Sequence, residues 1–415
     1  MFDLSSYPTL VFCIASAALV VVVTVHFNPH LALSLAWTRT SVDYSGHRIT
    51  HESWDAVEHL LNPPNVDIHA LLYSRSIPNQ RLVRAFGLTN TFVSADADVH
   101  ARFRSRASKI MNHVNWASLF NTASRAVEVS VSTSNQDIPY DVYVQEVTLR
   151  VVIISFLGID RRPEDLDSND VRAVAALISQ LWTLSKTVQE PDQALKDKLQ
   201  VHLGRLFDGQ TDFDNPLDFV IPAWETLWRV VATTLAYVHN DARYKDVFLD
   251  LAENKTTQQF RTADSGNPSA QSIVTEVLRL HPPSRHIHRA IPSESRFLPA
   301  FLEGLVGRRF HLEIADIESV HLSPEIWGRD SARTFDPMRH ERPQTRDRQT
   351  LAFGAGRLQC IAKNWAPMAA AMIAAAMIAK ARSDEDGSLE MQFRVIEGGC
   401  IGGRCGWEGW RVARK

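Results

Sequence analysis

Cysteine is scarce in this chain: four residues, Cys13, Cys360, Cys400 and Cys405, in a length of 415. So few sulfurs in so long a chain exclude a disulfide-stapled framework, and each has to be explained on its own. A basic excess is missing too. Forty-four Lys and Arg stand against 47 Asp and Glu, a formal net charge of -3, which argues against a nucleic-acid-binding surface. The 16 His are scattered, without the H-E-x-x-H spacing that would seat a zinc ion. Internal repeats and long low-complexity linkers are absent, as is the G-x-G-x-x-G turn that cradles a dinucleotide.

What the chain does have begins with an apolar run, Leu10 to Phe27, free of charge. At about eighteen residues it is near the lower limit for a spanning helix. Arg39 and Arg48 follow it and no Lys or Arg precedes it, so the expectation is a single membrane anchor over residues 1–30 with a cytosolic body over residues 31–415. A cleaved secretory signal is the alternative. The small residues of LALSLA suit cleavage, but the basic leader of a signal is missing.

The body holds 45% apolar and 22% charged residues, as a folded domain does. Asn62-Pro63-Pro64 reads as a break. Helical spacing is expected from Val99 to Asn115, in an apolar run from Tyr140 to Leu157, in pieces from Ala173 to Phe207, and from Asp214-Asn215-Pro216 to about His239. It continues through residues 243–280 with a break at Gly266-Asn267-Pro268. Short strands are expected between His281 and His321, a buried Ala- and Met-rich helix from about Ile361 to Arg382, and a hairpin in the last thirty residues. The sum is a mainly α domain with a minor β portion.

Cys13 lies in the apolar run and reads as an inert small hydrophobe. Cys400 and Cys405 sit in a Gly-rich stretch without two further ligands, so they read as structural or exposed thiols. Cys360 differs. It closes the loop Phe353-Gly354-Ala355-Gly356-Arg357-Leu358-Gln359-Cys360 ahead of an apolar helix. A thiolate that ligates iron needs shielding and backbone N–H donors on its sulfur. Glycines let a loop fold that closely, and a following helix would aim its positive end at the sulfur. A buried Cys at the start of a core helix would look the same.

The loop resembles the haem-binding signature of the cytochrome P-450 family, F-x-x-G-x-R-x-C-x-G, with Phe353, Gly356 and Cys360 in place. Leu358 stands where the family has a basic residue and Ala362 where it has the last Gly. Three further segments resemble the family in chain order. Glu276-Val277-Leu278-Arg279 is similar to E-x-x-R and Phe335-Asp336-Pro337-Met338-Arg339-His340 to F-x-P-x-R-W, which implies a structural network of Glu276, Arg279 and Arg339. Pro222-Ala223-Trp224-Glu225-Thr226 takes the place of A/G-G-x-D/E-T, which implies that Glu225 and Thr226 act in proton delivery. A kinked core helix with a structural Glu225 is the plainer reading. Pro222 has no N–H, so the Asp218 carbonyl is expected to lose its helical partner. His100-Ala101-Arg102-Phe103-Arg104 resembles the helix whose basic residues hold haem propionates, with Arg289 a further propionate candidate.

The resemblance covers roughly residues 95 to 365 and is nearest the fungal branch. It implies a cytochrome P-450-like fold, haem b held through Cys360, and a monooxygenase acting on a small apolar molecule in secondary-metabolite biosynthesis. Electrons would come from NADPH through a separate cytochrome P-450 reductase at the endoplasmic reticulum membrane. Two alternatives stay open: a haem-thiolate isomerase, dehydratase or peroxygenase, which would not depend on a reductase, and a degraded homologue that only binds ligand, which would purify without haem.

Overall fold

The structure is a computed structural model that describes residues 48–132, 136–187, 191–208, 214–264, 266–293, 310–343, 350–381 and 393–414. The apolar run at residues 10–27 and Cys13 lie outside them. Among the described residues no helix is long and apolar enough to cross a membrane. The chain divides into two compact units, residues 1–49 with 290–312, and residues 50–289 with 313–415. The first contributes only strand ends to the described residues. The second holds every described helix.

Strand β1 (Arg48–His51) leads into helices α1 (Trp54–Leu61), α2 (Ile68–Phe86), α3 (Ala97–His113) and α4 (Trp116–Ser132). A two-residue strand β2 (Ile138–Pro139) precedes α5 (Tyr140–Val151), which opens into a π turn at Val152–Phe156. Next come α6 (Ser168–Leu184), α7 (Gln193–Phe207), α8 (Leu217–Trp224), α9 (Leu227–Val238), α10 (Ala242–Glu253), α11 (Thr257–Arg261) and α12 (Ala270–Leu280). Strands β3 (His286–Pro292) and β4 (Phe310–Asp316) share a sheet with β1 in the order β1-β4-β3. Short helices α13 (Ile317–His321) and α14 (Pro324–Trp327) and two 3-10 turns precede α15 (Ala366–Ala381), and β5 (Phe393–Ile396) and β6 (Arg411–Arg414) close the chain.

Helix α15 explains the core. Every residue from Met368 to Ile378 is buried, as a helix that is apolar all round must be. It packs against α4, α9 and α10. The C-terminal hairpin pairs antiparallel, Val395 opposite Val412, and β6 pairs with β2, Ile138 opposite Val412. Tyr140 pins that hairpin: its amide donates to the Trp410 carbonyl, its hydroxyl donates to the Ala232 carbonyl at 2.6 Å, and its ring lies against Trp407 and Trp410.

The mainly α reading with small sheets therefore stands, with three differences. The stretch before residue 95 holds one short strand and two helices, α1 and α2, which the sequence reading leaves unassigned. The helix expected from 214 to 239 is two, meeting at Glu225 and Thr226. Helix α15 starts at Ala366, not near Ile361, because residues 361–365 form turns closed by Lys363 and Trp365 N–H bonds to Cys360 and Ala362 carbonyls.

Candidate haem-thiolate site

The loop from Phe353 to Cys360 closes on itself. The Cys360 amide donates to the Phe353 carbonyl at 2.9 Å, and Gln359 Nε2 donates to the Gly354 carbonyl at 3.0 Å. Both glycines are required by geometry. Gly354 and Gly356 have φ of +69° and +65°, and a Cβ on Gly356 would run into the Asn62 side chain. Arg357 donates outward to the Val66 carbonyl, so this basic residue, one place before Leu358, is engaged elsewhere.

Cys360 is accessible. Desolvation by the protein around it pushes its thiol up, while the Ala362 N–H and the Arg104 charge pull the other way. The Ala362 N–H thus favours the charged form of the sulfur. The φ of Ala362 is not positive, so the methyl is accommodated. The N–H groups of α15 begin several residues further on. The sulfur is held by the turn at 361–365 more than by a helix end.

Four basic side chains gather near this loop. Arg104 on α3 reaches the Gln359 carbonyl (3.5 Å). His100, one turn earlier, shares a 2.7 Å hydrogen bond between Nδ1 and Thr91 Oγ1. Arg75 on α2 donates to the Thr91 carbonyl and hydroxyl (2.5 and 2.6 Å). Arg289 on β3 donates to the His288 carbonyl at 3.0 Å. Burial holds the Arg75 guanidinium down at about 9, with the Arg289 charge adding to it. Burial alone holds Arg289 at about 10, and burial, then Arg75 and Arg104, lowers His100. No carboxylate among the described residues pairs with any of the four. The Nε atoms of Arg75 and Arg289 are buried without a partner. Two buried guanidinium groups with orphaned donors, Arg75 and Arg289, beside the half-buried His100 and Arg104, fit an anionic group, and the two propionates of haem match that demand. The sequence pointed to His100, Arg104 and Arg289. It missed Arg75, which lies on a helix that the sequence leaves unassigned.

Glu276 stands at the centre of a buried network. Glu276, wholly buried on α12, takes two 2.8 Å bonds from Arg279 and one of 3.0 Å from Arg339. The Asp336 amide donates to it at 3.0 Å, and His340 shares a 2.9 Å bond with it. His340, which stands where the family motif has Trp, is thus a member that sequence reasoning missed. Burial works to raise the Glu276 carboxyl, but the Arg279 and His340 hydrogen bonds outweigh it and hold it at about 2.

Glu225 and Thr226 lie where α8 meets α9. The Asp218 carbonyl freed by Pro222 is taken by Asn90 Nδ2 at 2.8 Å. Glu225 is buried and bound by Arg229 Nη2 at 2.7 Å and by Arg404. Its carbonyl accepts from Arg229 Nε at 3.1 Å, which loosens the ladder where α8 meets α9. Thr226 is half-buried.

The cytochrome P450 family model matches residues 267–388. A search of curated proteins finds no match. Among solved structures, the retinoic-acid-bound cyanobacterial CYP120A1 is 14% identical, with 89% of each chain covered and a TM-score of 0.59. CYP175A1 from Thermus thermophilus is 12% identical over 94% of this chain and 96% of its own, with a TM-score of 0.59. Ligand-free CYP164A2 of Mycobacterium smegmatis is 16% identical over 88% and 90%, with a TM-score of 0.52. At these identities the likeness shows the fold. The matched segment holds Glu276, Arg279, Arg339 and Cys360 and is similar to the cytochrome P450 family, and the solved structures share the fold of this chain.

Proposed function

We propose that this protein is a haem-thiolate monooxygenase. The observation that carries the reading is the union of Cys360 with an acid-free set of cations, joined through Arg104, which touches the cysteine loop. When bound, haem b would supply activation of dioxygen at iron. Cys360 would hold the iron through its sulfur, with the Ala362 N–H favouring the charged form. Arg75, His100, Arg104 and Arg289 would hold the propionates, and Phe353 and Gly356 shape the loop. Glu225 and Thr226 are proposed as the acid and alcohol that hold and pass a proton at the reacting centre.

The finer reading adds a small apolar substrate, electrons from an NADPH-dependent reductase, and an anchor in the endoplasmic reticulum membrane with a cytosolic body. The apolar run at residues 10–27 supports the anchor, and the missing dinucleotide turn supports an external electron source. A role in fungal secondary metabolism rests on the branch that the sequence resembles.

The test is the carbon monoxide difference spectrum of the reduced full-length protein in detergent. The expected result is a Soret band at the red-shifted thiolate position that is lost in Cys360→Ala. A histidine-like band, or a spectrum unchanged by that substitution, would sink the assignment. Thr226→Ala is expected to divert reduced oxygen into released peroxide, and unchanged coupling would leave Thr226 a core residue.

A further inference from the structure

A second group of cations surrounds Glu225, and its charge does not balance. Arg229 on α9 and Arg404, in the loop before β6, bind the carboxylate directly. Arg81 on α2 and Lys186, just past α6, lie close enough to feel its charge. Four separate parts of the chain thus bring four positive charges to one carboxylate. Among the described residues no other acid acts on Arg81, Lys186 or Arg404.

The donors are not all used. Arg229 is satisfied by Glu225 and by the Pro283 carbonyl at 2.8 Å. Arg81 donates to Ser185 Oγ at 2.6 Å. Arg404 Nη1 is buried with no partner. Arg81 and Arg404 both lie on the Trp182 ring, 4.8 and 4.7 Å from its centroid. Burial holds Arg404 down at about 10 against the pull of Glu225. Desolvation, then Arg404 and Arg81, lowers Lys186. Gathering like charges in a partly dry place is unfavourable unless something negative arrives to share the donors. The guanidinium fork fits a carboxylate, and an indole face beside it fits an apolar body.

We propose that Arg81 and Arg404, set against Trp182, recognise the carboxylate of the substrate, so that this protein acts on an apolar acid. The cluster stands on its own geometry. Its place beside the reacting centre rests on the reading of Glu225 and Thr226 given above. Glu225 then has a second part: it orients Arg229 and Arg404 and keeps the cluster from holding inorganic anions too tightly.

The test uses a matched pair, 2-naphthoate and 2-naphthamide, titrated calorimetrically into the full-length haem-loaded protein. The acid is expected to bind at least about tenfold tighter than the amide. Arg404→Gln and Arg81→Gln should each bring the ratio toward one, and Arg404→Lys should keep most of it. If Arg404→Gln does not fold, Arg81→Gln carries the comparison. Equal binding of acid and amide, no binding of the acid, or a ratio that survives both glutamine substitutions would overturn the proposal. Carbon monoxide spectra of the same preparations separate the two readings. Discrimination without a thiolate band leaves the acid site and removes the haem assignment. A thiolate band without discrimination does the reverse.

Discussion

Glu276 and Glu225 are both buried carboxylates ringed by arginine, yet they are built to different ends. Around Glu276 the spare guanidinium donors find backbone carbonyls. Arg279 reaches those of His321 and Ala332 at 2.8 and 2.7 Å, and Arg339 those of Ser331 and Thr334 at 2.8 and 3.1 Å. The partners lie within one stretch from α12 to the 3-10 turn at Pro337–His340. Around Glu225 the cations come from distant elements and Arg404 keeps a buried donor unmatched. A closed network stiffens a fold, and an open one waits for a ligand. Motif spacing alone shows a Glu near an Arg in both cases. It cannot show which donors are used up.

The largest expected effect follows from closure. Glu276→Gln leaves Arg279 and Arg339 buried without their counter-charge, and should cost about 3–5 kcal/mol in denaturant unfolding. Glu225→Gln should cost much less, because Arg404 and Arg81 remain partly open to water, and it should tighten naphthoate binding by removing the one competing carboxylate. Equal losses of stability in the two variants would erase the distinction.

Acid should separate the two regions next. His321, whose carbonyl holds Arg279, accepts the Leu351 amide at 2.8 Å. Burial, then the Arg279 charge, lowers it from 6.5 to about 4. His281 is lowered to about 4 by burial, then by Arg285 and Arg279. A group held neutral in the fold stabilises above its unfolded pKa, and that stability is lost as pH falls from 6.5 to 4, by about 3 kcal/mol for each such histidine. Glu276 continues the loss as pH falls from 4.5 toward 2. Stability measured against pH should therefore decline before ordinary carboxylates titrate, and His321→Gln should flatten the upper part of the curve. A flat profile from 6.5 to 4 in the parent protein would show these histidines are not held neutral.

Much of the candidate site was legible because it lives in short spacings. Cys360 with Phe353 and Gly356, Glu276 with Arg279, and His100 with Arg104 are local patterns. What escaped is assembled across long sequence separations. Arg75 meets His100 and Arg289 from a helix with no clear apolar period, and Arg404 reaches Glu225 from the Gly-rich loop of the expected hairpin. Another buried pair, Glu146 and Arg150 at 2.9 Å, with Arg172 at 2.6 Å, has ordinary i, i+4 spacing that in most helices means an exposed face. The fold went the same way. Long apolar helices such as α15 were visible, while α1 and α2 were not.

A smaller effect tests the cysteine loop. Gly356→Ala places a side chain at φ +65° against Asn62, for a cost of about 1–3 kcal/mol. The loss should show as weaker haem retention with the Glu276 region unaffected, read from the protection of its amides. Full haem retention would mean that Asn62 moves aside and the loop is softer than its hydrogen bonds suggest.

The smallest expected effect is the most informative about the kink. Pro222 removes an N–H from α8, and on spacing alone its replacement should restore a helical bond and alter the site. The structure says otherwise. The Asp218 carbonyl already has Asn90 Nδ2, and the Asp218 carboxylate takes the Thr89 and Asn90 amides at 2.8 and 3.1 Å. Pro222→Ala would therefore exchange one satisfied bond for another and lose a rigid residue, for a net change within about 1 kcal/mol. Naphthoate affinity should stay within about twofold, since the loosened joint lies at Glu225, where Arg229 Nε takes the carbonyl. A large gain in stability, or a collapse of naphthoate binding, would move the origin of the joint from Arg229 back to the proline.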